Sequence, residues 1–97
     1  VLINTFTVAP EDADRLRAAW ADDAAFMKQQ PGFISTQLHR GIAGSCVFLN
    51  YAVWESTEQY KRAINNPESQ SMLAKFPAIT MSPHLFKKLA VPGVCVD

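Results

Sequence analysis

Ninety-seven residues are enough for one domain, expected to span residues 1–97, with a core of modest size. Nine basic residues balance nine acidic ones, which excludes the electrostatic footprint of a nucleic-acid binder or of a protein held on an anionic membrane. Hydrophobic content of 48% against 19% charged residues belongs to a globular chain, with an apolar excess that predicts a hidden interface.

Val1 to Val8 reads as a strand, rich in β-branched and aromatic residues. Pro10 suits the first turn of a helix, and Glu11, Asp12 and Asp14 suit its positive N-terminal end. Leu16, Trp20, Ala24 and Met27 then recur at helical spacing as far as about Gln30. A stripe of this kind is ordinarily core, with a ligand wall as the alternative. Pro31-Gly32 stops the helix, Phe33 to Arg40 forms a second strand, and Gly41 to Gly44 turns the chain into a third.

That third strand runs from Cys46 to about Glu55, and its two faces differ. Alternation places Val47, Leu49, Tyr51 and Val53 on one side, a continuous apolar row. The other side carries Phe48, Asn50, Ala52 and Trp54, so an amide sits beside an indole among apolar neighbours. An amide there costs free energy unless protein, water or ligand hydrogen-bonds to it. On the first strand Leu2, Asn4, Phe6 and Val8 share a face, which makes Asn4 a second such amide.

Ser56 with Gln59 three residues later is a capping-box pattern, and Tyr60, Ala63 and Ile64 supply the inward stripe of the helix it opens. Asn66-Pro67 ends that helix and caps another, in which Met72, Leu73 and Phe76 point inward until Pro77. After a loop, Pro83 to Val91 reads as the last strand, and Pro92-Gly93 leads into a short tail. The order β-α-β-β-α-α-β predicts an α+β ferredoxin-like sandwich: a four-stranded antiparallel sheet with helices on one face, its first and third strands central neighbours.

Two consequences follow for function. The helix-free face would expose Val47, Leu49, Tyr51 and Val53, too apolar a patch for a monomer, so a homodimer through the sheet face is expected. On the opposite face Asn4 and Asn50 would converge with Trp54 on one apolar cavity, the usual composition of a small-molecule site. Two satisfied core amides remain the competing reading. Cys46 and Cys95 form neither a disulfide framework nor a metal-ligand spacing. Paired carboxylates, a P-loop and a dinucleotide fingerprint are all lacking, so hydrolase, kinase and nicotinamide chemistry are not expected. With no signal-peptide pattern and no apolar run of bilayer length, a cytoplasmic protein is expected, without membrane or nucleic-acid partners.

At these residues the chain resembles the antibiotic biosynthesis monooxygenase family. The resemblance runs from Ile3-Asn4-Thr-Phe6-Thr-Val8 through Phe26-Met-Lys-Gln-Gln-Pro-Gly-Phe33 and Asn50-Tyr-Ala-Val-Trp54 to Asn66-Pro-Glu68. Asn4 with Asn50-x-x-x-Trp54 is similar to the subgroup that oxidises anthrones and hydroquinones to quinones with dioxygen and no cofactor. The resemblance implies catalytic roles for Asn4, Asn50 and Trp54, no metal, and a small aromatic substrate. Tyr60 matches a site tyrosine of some members; Phe6, Trp20, Phe33, His39 and Met72 are the other expected substrate-binding residues. Haem-degrading relatives carry a tryptophan and an axial histidine where this chain has Ala63 and Leu73, so haem is not expected. An arginine that some anthrone oxidisers place in the last helix has no counterpart nearer than Lys75. A non-catalytic ligand-binding module and an enolate-stabilising cyclase or isomerase are the alternative functions on the same fold.

Overall fold

The computed structural model describes residues 1–96. It contains β1 (Leu2–Val8), α1 (Ala13–Met27), β2 (Phe33–Arg40), β3 (Val47–Trp54), α2 (Thr57–Ile64), α3 (Pro67–Leu73) and β4 (Ile79–Leu85), with one 3-10 turn over Pro10–Asp12 before α1. The four strands form one antiparallel sheet in the order β2-β3-β1-β4. β1 and β3 are therefore the central pair, as the predicted ferredoxin-like order requires.

The helix boundaries follow their capping chemistry. Ser56 Oγ accepts the Gln59 backbone N–H at 3.2 Å and donates to Gln59 Oε1 at 2.9 Å, which opens α2. Asn66 Oδ1 accepts from the Glu68 N–H at 2.9 Å, and Pro67 fills the first turn of α3. α1 is shorter at both ends than its sequence suggests, because Pro10 to Asp12 wind as a 3-10 turn and the chain after Met27 breaks into turns toward Gly32. Gly32 sits at φ +90°, and a Cβ there would lie 2.7 Å from Gln59 Cβ, so both backbone and space demand glycine.

β4 begins earlier than the expected Pro83–Val91. Ile79, Met81, Pro83 and Leu85 alternate onto the helix side, opposite Val8, Phe6, Asn4 and Leu2. Pro83 stands inside the strand rather than opening it, and an edge strand accommodates this, since one of its sides has no ladder to feed. Beyond Leu85, Phe86 closes the ladder by exchanging hydrogen bonds with Val1 at 2.7 and 3.1 Å. Val91 makes only an isolated bridge to Cys95.

The core lies between α1 and the central strands: Phe6, Val8, Ala13, Leu16 and Phe48 are buried, and Leu16 alone is fully enclosed. Further along α1, Trp20, Ala24 and Met27 are only partly buried, because the space beneath them is not filled by the sheet. Among the described residues, no helix is long and apolar enough to cross a membrane.

Candidate functional site

Strand alternation on β1 and β3 aims Leu2, Asn4 and Phe6, and Asn50, Ala52 and Trp54, at the helices. The two strands are registered so that Asn4 lies directly opposite Asn50. Side chains so placed have Cβ atoms roughly 4.5–5.5 Å apart. Both amides open into one cavity of about 230 Å³ between the sheet and the helices. Its roof is built from α1 (Trp20, Asp23, Met27), from Tyr60 and Ile64 of α2, and from Leu73 and Phe76 in and after α3.

Each polar group in this cavity has a distinct environment. Asn50 is oriented by β2: Thr36 Oγ1 donates to its Oδ1 at 2.5 Å. The carbonyl end is thereby occupied, and the Nδ2 donors are the part of Asn50 left to offer. Asn4 has its Oδ1 shut away from water without a hydrogen-bond partner, so its open group is also Nδ2. An unpaired buried acceptor of this kind costs on the order of 1–3 kcal/mol. Trp54 is held edge-on by Phe33 at 5.4 Å and by Tyr60 at 5.7 Å between ring centroids. Phe6 and Phe76 stack at 6.3 Å and complete the apolar end.

Among the described residues, Asp23 is the one carboxylate on the cavity wall. Its Oδ1 is buried with no hydrogen-bond partner, and no cationic group lies within 4 Å of the carboxylate among the described residues. Desolvation raises its pKa above the ordinary 3.8. The Tyr60 phenol is raised above 10.0, first by burial and then by the negative charge of Asp23, so Tyr60 stays a neutral O–H donor at physiological pH.

The structure brings Asn4, Phe6, Trp20, Phe33, Asn50, Trp54 and Tyr60 to this one cavity. Two expected binding residues are elsewhere. His39 pairs with Leu49 and stands exposed on the helix-free face. A β-bulge between Phe33 and Ser35 causes this: it shifts the alternation, so Thr36, Leu38 and Arg40 take the helix side and His39 the other. Met72 is off the cavity because α3 presents Ser69, Gln70 and Leu73 instead. The same bulge hid Thr36 from sequence reasoning. Asp23 was also missed, although the sequence holds a signal for it: a carboxylate three residues after Trp20 and four before Met27 interrupts an inward helical stripe.

Among the described residues there is no group of three or more His, Cys, Asp or Glu placed to hold a metal ion. Cys46 and Cys95 are free and exposed. The cavity can thus bind a flat apolar molecule, offer two amide donors to a developing oxyanion, and present one under-solvated carboxylate.

Comparison with known proteins places the fold. The family model described as antibiotic biosynthesis monooxygenase matches residues 1–75. The chain belongs to the antibiotic biosynthesis monooxygenase family. Among family relatives, deoxynogalonate monooxygenase of Streptomyces nogalater is 30% identical over 82 residues, covering 84% of this chain and 69% of its own. The crystal structure of SnoaB, a cofactor-independent oxygenase from Streptomyces nogalater, superposes with a TM-score of 0.77 at 23% identity over 94% of each chain. A solved structure from Shewanella loihica gives 0.75 at 28% identity over 93% of each chain. Both solved structures share the overall fold of this chain.

Proposed function

We propose that this protein is a cofactor-independent monooxygenase that oxidises an anthrone- or hydroquinone-class aromatic with dioxygen to a quinone. The observation that carries this reading is the pair of amides, Asn4 and Asn50, registered opposite each other with their donors open to an apolar cavity. The naming of a relative as a deoxynogalonate monooxygenase supports the same chemistry. An anthrone is an acidic carbon acid whose enolate is electron-rich enough to reduce dioxygen directly. Asn4 and Asn50 would hold the enolate oxygen, each donor contributing about 2.7–4 kcal/mol in a site of this type. Trp54 would wall the ring system and offer its indole N–H to an oxygen adduct. For an anthrone the balance is simple: the ring methylene loses two hydrogens and gains a carbonyl oxygen, and the second oxygen atom leaves as water.

Oxygen-electrode traces with anthrone as probe test this. Catalysed uptake of one dioxygen per quinone formed, unaffected by chelator, is expected. Product formation under nitrogen would make the protein a cyclase or isomerase instead, and saturable binding without turnover would make it a binding module.

The active form is proposed to be a homodimer joined through the helix-free sheet face. On that face Val47 and Tyr51 are 38% and 40% exposed, with Leu49, Val53 and Ile3 partly exposed beside them. Burying such a row against its symmetry mate removes the apolar surface from water. Sedimentation at micromolar concentration is expected to give a dimer, and Leu49→Lys a monomer, because the ammonium would enter a desolvated interface.

A further inference from the structure

If the cavity oxidises a carbon acid, something must take the proton first, and neither amide can. An amide nitrogen or oxygen is far too weak a base at neutral pH, so Asn4 and Asn50 can stabilise an enolate but not generate it. We propose that Asp23 is the catalytic base of this site, accepting the proton from the substrate's acidic C–H or O–H as the enolate forms beneath it. This rests on the oxidative reading above and assigns the role that reading leaves open.

The placement is specific. Asp23 projects from α1 within the stripe of Trp20, Ala24 and Met27 that roofs the cavity, while the amides lie on the sheet floor. A flat aromatic between the two layers has the carboxylate above it and the oxyanion donors below. Proton abstraction and oxyanion stabilisation then act on the same molecule from opposite sides. Asp23 also lacks what would quench a base: among the described residues its buried Oδ1 accepts no hydrogen bond and no ion pair neutralises it.

The neighbouring charges do not compete. Asp22, next in the chain, faces away and pairs with Lys75 at 3.7 Å. Tyr60 of α2 is the titratable group that couples to Asp23. On α3, Glu68 is exposed and not part of the cavity wall. The helix-side faces of β1, β3 and β4 carry no ionisable side chain, and Arg40 of β2 is held over the Phe48 ring at 5.3 Å. Incomplete solvation leaves Asp23 with a raised pKa, which moves it toward the operating pH where a base is effective.

The step balances without a co-reactant. The substrate C–H bond breaks, the proton passes to the Asp23 carboxylate, and the electron pair delocalises onto the substrate oxygen held by the amides. Dioxygen takes electrons only afterwards. Proton abstraction is therefore separable from oxidation, and anthrone in D₂O under nitrogen isolates it. The wild-type protein should accelerate deuterium incorporation at the ring methylene over the buffer rate. Asp23→Asn should lose about 10²-fold or more of both this exchange and aerobic oxygen uptake, and Asp23→Glu should recover part of each.

Stability is a second readout, set by the buried carboxylate whatever its role, whereas the exchange rate and the acid limb of kcat/KM move only if Asp23 is the base. Because folding raises its pKa, folding favours the protonated form, and stability falls as pH rises from about 3.8 through the folded value. Asp23→Asn should therefore melt higher than wild type at pH 7, with the gap closing as pH falls through the folded value and gone by about 3.8. The acid limb of kcat/KM, set by Asp23 in the wild type, should vanish in that variant. Undiminished exchange in a folded Asp23→Asn protein overturns the assignment, even if oxygen uptake by the wild type stands. Wild-type exchange without oxygen uptake keeps Asp23 as base and removes the oxidase reading. Neither exchange nor uptake with the wild type overturns both.

Discussion

Replacing Asn50 with alanine is expected to lower oxidation of an anthrone-class substrate by about 10²-fold or more, as loss of one oxyanion donor does in comparable sites. The stability cost should be small by comparison. What the fold loses is the Thr36 Oγ1 hydrogen bond to Asn50 Oδ1, a contact of about 1 kcal/mol net. Asn4→Ala should give a loss of similar size, because the two amides face each other across the central strand pair. If both donors hold one oxyanion, the double variant loses less than the product of the two single effects. Trp54→Phe keeps most of the packing against Phe33 and Tyr60 but removes the N–H, so it should slow the reaction more than it lowers the melting temperature. Three variants that keep full activity but melt far lower would mark Asn4, Asn50 and Trp54 as core groups.

The largest effect on stability is expected at Leu16, the one fully enclosed side chain. Leu16→Ala leaves a void between α1 and the central strands, and substitutions of this kind cost about 2–5 kcal/mol. For a domain of this size each kcal/mol lowers the melting point by roughly 4–8 °C, so a drop of about 10 °C or more should appear in a calorimetric scan. Leu16 does not touch the cavity, and the folded fraction should therefore keep its kinetic constants. A drop of only a degree or two would show that α1 repacks freely.

How far sequence alone could reach varied from element to element. β1 and β3 keep strict alternation, so the common face of Asn4, Asn50 and Trp54 was legible from parity alone, as was the β1–β3 adjacency that places them together. β2 was not legible in the same way. Its bulge after Phe33 reverses the parity of every later residue, which leaves the expected binding residue His39 on the helix-free face and brings Thr36 to the cavity. Local alternation carries no trace of an extra residue in one strand; only the pairing with β3 reveals it. β4 was displaced because Pro83 looked like a strand opener, when an unpaired edge lets it sit opposite Asn4. Asp23 needed the cavity itself to be seen, since a charged residue in a helical stripe is most often solvated until something covers it.

The two layers of the cavity differ in how they are held. The floor amides belong to the backbone ladder of the central strands, where each residue is locked to partners on both sides. Much of the roof rests on α2 and α3, two short helices joined only through Asn65 and Asn66. Reaction and selectivity are thereby assigned to separate pieces of the chain. Ile64, Leu73 and Phe76 can be exchanged to admit a wider or narrower ring system while the distance between Asn4 and Asn50 stays set by strand register. Such an architecture is well suited to diversification: new substrates require only a new ceiling.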